Sequence, residues 1–270
     1  MMCEDREQEV SREQLAFLKQ RKRRKAAVFF MQWAILAGFF LLWEGAARWE
    51  WIDPFLFSCP SRMAETLGRM AADGSLWLHL STTFLETAAG FLLGTVLGTL
   101  IAVLLWWNSF ISAVAQPYLV VLNSLPKTAL APILIVWIGN NQRSIIAVAL
   151  LTSVVVTVLS VLNGFLQVDG EKRRLAEIFG GTKRQVLQKV VFPANIPCIV
   201  NALKINVGLS FVGVIVGEFL VAKAGLGFLI VYGSQVFKMD LVLVSVVLLA
   251  GMAAVMYGGI GLLERKLSKK

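Results

Sequence analysis

The polar sequence DGEKRRLAEIFGGTKRQVLQKVVFP, at residues 169–193, lies between long apolar runs of the chain. The run that precedes it, residues 144–168, contains no charged side chain. The same is true of residues 26–43, 87–126 and 241–263. A helix needs about 20 apolar residues to cross a bilayer. The pattern therefore predicts an all-α integral membrane protein in which residues 169–193 lie in water.

The composition agrees with this prediction. Of the 270 residues, 57% are hydrophobic and 16% are charged, whereas a soluble domain carries about 25% charged residues. Several long uncharged runs in one chain disfavour the alternative of buried helices in a soluble core. A signal peptide at residues 26–43 is also disfavoured, because the run is long and a charged segment precedes it.

The net charge of +9 could indicate a nucleic-acid partner, but the positions of the basic residues argue against one. Of the 26 Lys and Arg residues, eight lie in residues 1–25, six in residues 164–193 and four after Leu263. Basic residues concentrate on the cytoplasmic side of membrane proteins. We therefore expect a multi-pass protein of the cell membrane with both termini and the charged segment in the cytoplasm, in contact with lipid and not with nucleic acid.

Six membrane spans would place both termini and the charged segment on the same side of the membrane. We expect a basic cytoplasmic arm (residues 1–25), a six-span domain (residues 26–264) with a cytoplasmic loop (residues 164–193), and a cytoplasmic tail (residues 265–270). The predicted spans lie near residues 26–43, 83–106, 111–138, 144–162, 196–221 and 241–263. A glycine-rich outer segment, residues 225–233, separates the last two spans.

Prolines interrupt the third predicted span at positions 117, 126 and 132. Each proline removes a backbone donor and disturbs a helix. Broken backbone at membrane depth is tolerated where protein or water covers it. Pro126 and Pro132 are therefore candidates for lining a transport pathway, and the alternative is a loop between two shorter membrane segments.

Two charged residues lie inside the fifth predicted span. Charges within a bilayer are costly and usually face a cavity or a partner. Lys204 lies near the start of the span, where its long side chain can reach the surface. Glu218 lies near the outer end and could contact a substrate, a binding protein or a neighbouring helix. We favour a structural or gating role for Glu218.

The sequence contains no arrangement that predicts an enzyme. The only histidine, His79, is expected to be an interfacial or packing residue, and three scattered cysteines lack metal-binding spacing. A Gly-x-x-x-x-Gly-Lys-Ser/Thr phosphate loop is absent, so we expect neither ATP hydrolysis by the chain itself nor a cofactor.

The charged segment consists of two amphipathic pieces separated by Gly180 and Gly181. Leu175, Ile178 and Phe179 share one helical face. Such pieces lie on lipid or dock into the groove of a partner, and the composition alone favours neither.

The sequence AEIFGGT (residues 176–182), followed by VVFPANIP (residues 190–197), resembles the signature loop of the permease subunits of ABC importers. In that family the loop forms a coupling helix in a cleft of the ATP-binding subunit. The family pattern usually opens with Glu-Ala-Ala, whereas this chain has Arg174-Leu175-Ala176. The resemblance implies that the ATPase is contacted by Leu175, Ala176, Ile178, Phe179, Gly180, Gly181, Thr182 and Lys183.

Further segments are similar to the nitrate, sulfonate and taurine branch of these permeases. They are CPS (residues 59–61), NSLPKTALAP (residues 123–132), WIG (residues 137–139), Glu218 and GLG (residues 225–227). The resemblance covers roughly residues 40–265 and implies the type I importer permease fold.

The resemblance also implies an assembly and a function. A second permease copy, expected to be identical, two ATP-binding subunits and an extracellular solute-binding protein would complete the transporter. The solute would be a sulfonate, a nitrate-like anion or an organic molecule similar to a thiamine precursor. The alternative is a secondary transporter or channel driven by an ion gradient, which would need intramembrane carboxylates beyond Glu218.

Overall fold

The computed structural model describes residues 12–267, which contain thirteen α-helices and no strand. A 3₁₀ turn, Lys127–Leu130, precedes α6, and a π-helical turn, Leu187–Val191, follows α9. The helices are Arg12–Arg48 (α1), Pro54–Phe57 (α2), Pro60–Ala72 (α3), Ser75–Trp107 (α4), Ser109–Ser124 (α5), Ala131–Ile138 (α6), Gln142–Gln167 (α7), Gly170–Ile178 (α8), Lys183–Val186 (α9), Phe192–Ala194 (α10), Ile196–Val221 (α11), Leu226–Gln235 (α12) and Met239–Leu267 (α13).

The chain forms two compact units, residues 1–62 and residues 63–270. In the first unit, α1 runs without a break from Arg12 through the first span. Residues 1–11 of the expected arm and residues 268–270 of the expected tail lie outside the described part. Near the end of α1, the Glu44 carboxylate accepts hydrogen bonds from Arg48 Nε at 2.9 Å and from the backbone N–H of Ser61 at 3.1 Å.

The predicted all-α membrane fold is confirmed. Five helices are long and apolar enough to cross a bilayer: α1, α4, α7, α11 and α13. The third predicted span is a pair of apolar helices, α5 and Lys127–Ile138, bent by 85° at the break that contains Pro126. If this bent pair counts as one span, the structure has the six spans that the sequence predicts.

In the second unit, α7 packs between α4 and α11, and small residues allow the close approach. The glycines that recur every four residues on α4 face α7. A Cβ atom on Gly90 would lie 2.5 Å from Ala149 Cβ, and one on Gly98 would lie 2.5 Å from Thr157 Cβ. On the other side, a Cβ on Gly213 of α11 would lie 2.5 Å from Ala149 Cα. The stripe of glycines that the sequence shows is therefore the α4–α7 contact.

The structure adds two local details to the sequence prediction. The glycine-rich residues 225–233 lie at the start of and within helix α12, because only Gly225 has a conformation unsuited to a helix (φ +122°). Lys204, near the start of the fifth predicted span, pairs with Glu264 of α13 at 2.6 Å. The Lys204–Glu264 pair comes from packing against a neighbouring element, which local sequence does not show.

Candidate functional site

Two regions of the second unit contain the candidate functional side chains. The first is the charged segment, residues 169–193. The second we call the α12 anchor, and it comprises His79, Thr83, Glu86, Glu218 and the backbone of residues 225–228. The charged segment adjoins the C-terminal end of α4, while His79, Thr83 and Glu86 lie in the N-terminal part of the same helix.

The charged segment has defined helix ends. At the start of α8, Asp169 Oδ1 accepts a hydrogen bond from the N–H of Glu171 at 2.9 Å. At its end, Gly180 N–H donates to Glu177 O at 2.9 Å and Gly181 N–H donates to Ala176 O at 3.0 Å. These two bonds, with Gly180 at φ +79°, form a Schellman motif. The chain therefore leaves α8 in one fixed direction.

The two glycines are needed for different reasons. Gly180 has a left-handed backbone, but a Cβ there would meet no atom within 4 Å. Gly181 has an ordinary backbone, but its Cβ would lie 2.6 Å from Ala176 O. The first glycine thus permits the turn and the second permits the close approach.

After the glycines, the segment is attached to the membrane helices by its inner face. Thr182 and Gln185 form a capping box at the start of α9. Val186, Leu187 and Val191 are then buried in an apolar cluster with residues of α4 and α7, including Trp106 and Phe165. Ala176 of α8 packs against the same cluster, so both helices of the segment have a fixed inner side.

The outer face of the segment is apolar and largely uncovered by residues 12–267. Leu175, Ile178 and Phe179 are 56%, 79% and 81% exposed. Arg174, which replaces the expected Glu, is exposed as well. A contiguous exposed apolar patch on a short, rigid helix is typical of a surface that binds a partner.

Lys183 is oriented toward its own chain. Its ammonium group donates a hydrogen bond to the backbone oxygen of Trp107 and lies 5.8 Å from the ring centres of Trp106 and Trp107. A cation at a helix C-terminus is favourable because the last carbonyl groups carry partial negative charge. Lys183, expected to contact an ATPase, therefore also connects the charged segment to α4.

The α12 anchor satisfies the free backbone donors at the start of α12. Gly225 N–H donates to His79 Nδ1 at 3.0 Å, and Leu226 N–H donates to Thr83 Oγ1 at 2.7 Å. Gly227 N–H donates to Glu218 Oε2 at 2.5 Å. Thr83 Oγ1 in turn donates to Glu218 Oε1 at 2.6 Å. Since the first N–H groups of a helix lack partners within the helix, these side chains take the place of a cap.

Glycines create the space for the Glu218 carboxylate. A Cβ on Gly225 would lie 2.5 Å from both Glu218 oxygens, and a Cβ on Gly227 would lie 2.7 Å from Oε2. Glu218 itself is 1% exposed. The sequence GLG at residues 225–227 therefore encloses a buried carboxylate, and Glu218 contacts its own chain.

Glu86 was missed by the sequence reasoning. Its side chain is 3% exposed, and neither carboxyl oxygen receives a hydrogen bond from a donor in the described residues. It lines a cavity of about 370 Å³ together with residues that include Asn141, Gln142 and Lys223. The sequence does contain a signal for Glu86, because this charged residue lies within the predicted second span and shares a helical face with Thr83 and Gly90.

The structure does not bring the three pathway candidates into one site. Glu218 is buried in the α12 anchor, whereas Pro126 and Pro132 are exposed at the bent pair of helices. Within the described residues, no group of three or more His, Cys, Asp or Glu side chains could hold a metal ion.

Comparison with known proteins gives consistent matches. Residues 94–269 match the family described as binding-protein-dependent transport system inner membrane component. A probable ABC transporter permease protein of Haemophilus influenzae is 29% identical over 80% of this chain and 88% of its own length. The formylaminopyrimidine transport permease protein ThiX of Halalkalibacterium halodurans is 30% identical over 70% and 74% of the two chains. The taurine transport system permease protein TauC of Escherichia coli is 24% identical over 86% of each chain.

The fold also matches a solved structure. A chain of the MetNI methionine ABC transporter in an inward-facing conformation superposes with a TM-score of 0.63 and 20% sequence identity. The match covers 70% of this chain and 94% of that chain. At this identity the likeness concerns the fold.

Proposed function

Because the chain belongs to the family of binding-protein-dependent transport system inner membrane components, we propose that its charged segment receives the energy of ATP hydrolysis from partner ATPase subunits. The chain is a permease subunit of an ABC importer, a transport component with the fold of this class.

The observation that carries the proposal is the uncovered face formed by Leu175, Ile178 and Phe179. The opposite face of the segment is fixed in the apolar cluster, and Lys183 bonds to the end of α4. A partner that binds the outer face can therefore move the membrane helices and not merely bend a loop. Aromatic and aliphatic anchors at the centre of an interface usually supply most of its affinity.

The proposed assembly contains two copies of the permease, two ATPase subunits and an external binding protein. In support, side chains of the bent helix pair are strongly exposed, among them Val136 at 81% and Trp137 at 77%. Such residues face lipid or a second copy. The basic residues favour an orientation with both termini and the charged segment in the cytoplasm.

The proposed solute is a sulfonate, a nitrate-like anion or a small organic molecule similar to a thiamine precursor. The support lies in relatives named for transport of aliphatic sulfonates, taurine, formylaminopyrimidine and nitrate. The external binding protein would select among these solutes.

Reconstitution in liposomes tests the energy source. The purified chain alone should show no ATP hydrolysis, whereas the chain with its cognate ATPase should hydrolyse ATP faster when solute-loaded binding protein is added. Uptake driven by an ion gradient without the ATPase would contradict the proposal and favour a secondary transporter.

Cysteine accessibility labelling in intact cells tests the orientation. Single cysteines at the exposed position 172 and at position 270 should react only after the membrane is permeabilised. Labelling of either position from outside would refute the proposed six-span orientation.

A further inference from the structure

The α12 anchor contains two buried carboxyl groups, Glu86 and Glu218, and their surroundings differ. Glu218 accepts hydrogen bonds from the Thr83 hydroxyl and from the Gly227 N–H. Glu86 lies about one helical turn after Thr83 on the same face of α4, which places it beside Glu218, and neither of its oxygens has a hydrogen-bond partner among the described residues.

The donors around Glu218 favour its ionised form. Two hydrogen bonds to one carboxylate, one of them from the N-terminal turn of a helix, stabilise negative charge. The direction of the Thr83 bond is also fixed. Because Thr83 Oγ1 accepts from Leu226 N–H, its own proton is free to point at Glu218.

Glu86 lacks each of these sources of stabilisation. An ionised Glu86 would place a second negative charge beside Glu218 inside the helix bundle, where both are almost fully buried. Two adjacent buried carboxylates repel strongly, so one of such a pair retains a proton. Two carboxyl groups also form a hydrogen bond only when one of them carries a proton, because carboxylates are acceptors only.

We propose that Glu86 and Glu218 form a site for a single proton, in which Glu86 holds the proton and Glu218 holds the charge, and that this proton locks the start of α12 onto α4 and α11. The Glu86 O–H donates this proton in a hydrogen bond to the Glu218 carboxylate. It exchanges with water through the cavity of about 370 Å³ that Glu86 lines.

Few other charged or titratable groups face this pair. On α4, His79 lies about two helical turns before Glu86, and its Nδ1 accepts a hydrogen bond from Gly225 N–H. The segment after α11 contributes Lys223 at the cavity wall, where that residue is exposed. Gln142 and Ile145 of α7, an amide and an apolar side chain, line the cavity as well. Helix α12 contributes a backbone N–H group, that of Gly227, to the pair. Among the described residues, no positively charged group lies within hydrogen-bonding distance of Glu86 to take the place of the proton.

Isosteric amides distinguish the two carboxyl groups. In Glu86→Gln the amide N–H replaces the acidic proton, so the midpoint of thermal unfolding of the purified full-length chain should stay at the wild-type value. In Glu218→Gln the backbone donors lose a charged acceptor, and the midpoint should fall by about 4–8 °C. Equal destabilisation by both substitutions, or none by either, would overturn the proposal.

An infrared spectrum supplies an independent measurement. At neutral pH the wild-type minus Glu86→Gln difference spectrum should contain the C=O band of a protonated carboxylic acid. Absence of that band would show that Glu86 is ionised, with a bound cation in place of the proton, and would overturn the proposal.

These measurements stay decisive if Glu218→Gln fails to fold, since the infrared comparison needs only the wild type and Glu86→Gln. They involve no ATPase, solute or binding protein. Their outcome is therefore separate from that of the proposed coupling function.

Discussion

The charged segment and the α12 anchor use similar residues for opposite purposes. Each places two glycines beside a helix end: Gly180 and Gly181 after α8, and Gly225 and Gly227 at the start of α12. In the charged segment the result is an apolar face left open to a partner. In the anchor the result is a polar group enclosed by the chain itself.

The difference lies in where each region finds its hydrogen-bond partners. The charged segment satisfies its backbone locally, through the Schellman motif and the capping box, so its outer side chains remain available. The anchor satisfies two of its three backbone donors with side chains of α4 that are more than a hundred residues away, and the third with Glu218 of α11. The exposed apolar face can therefore be predicted from local sequence, whereas the anchor cannot.

The largest expected effect concerns the open face. Phe179→Asp places a charge where an apolar side chain is 81% exposed. Loss of a central aromatic contact costs about 2 kcal/mol or more of binding, so capture of the ATPase should weaken about 30-fold. The affinity of the purified permease for the ATPase measures the effect.

Folding should be unaffected by that substitution, because the Phe179 side chain is largely exposed. Phe179→Leu serves as the matched control and should retain most of the affinity. Wild-type capture of the ATPase by Phe179→Asp would show that the open face is not the coupling surface.

The next effect compares glycines of positive φ in the two regions. Gly225→Ala would put a Cβ against the Glu218 carboxylate at φ +122°, which should cost about 2 kcal/mol of unfolding free energy. Gly180→Ala meets open space at φ +79° and should cost about 1 kcal/mol. Denaturant unfolding of both variants in detergent measures the difference, and equal costs would remove the distinction between an enclosed and an open turn.

A third comparison lies within the charged segment. Gly181→Ala places a Cβ 2.6 Å from Ala176 O and should cost about 1–3 kcal/mol, although its backbone conformation is ordinary. If Gly181→Ala proves milder than Gly180→Ala, the close approach at Gly181 is not a constraint on the segment. The same unfolding measurement decides the order.

The smallest effect concerns the connection from the segment to α4. Lys183→Met removes a hydrogen bond to Trp107 O and two contacts with aromatic rings, and should cost about 1 kcal/mol. Arg184→Met, at the neighbouring exposed position, should leave the unfolding free energy unchanged. An equal response of the two variants would indicate that Lys183 does not hold the segment.

Much of the fold and part of the site could be predicted from sequence. Uncharged runs identify the spans, and the Gly180-Gly181 pair after an amphipathic piece identifies the end of α8. The face of Leu175, Ile178 and Phe179 follows from helical spacing alone. These features depend on residues close together in the chain.

The anchor could not be predicted in the same way. Glu218 was singled out as an intramembrane charge, but its partners Thr83 and Gly227 are brought to it only by the packing of α4 and α12 on α11. Glu86 escaped notice because it directly precedes an uncharged run that begins at Thr87. The glycine-rich pattern of residues 225–233 gave no sign of a helix, yet the two glycines after Gly225 fit within α12.

One helix joins the two regions. Near its N-terminus, α4 carries His79, Thr83 and Glu86, and its last residue, Trp107, receives Lys183. It is 33 residues long with no internal proline, which corresponds to a rod of about 50 Å. Such a rod has no joint at which motion could be absorbed. A displacement of the charged segment would therefore be transmitted along α4 to its N-terminal part, and the strength of the α12 anchor would set the force needed to move that end.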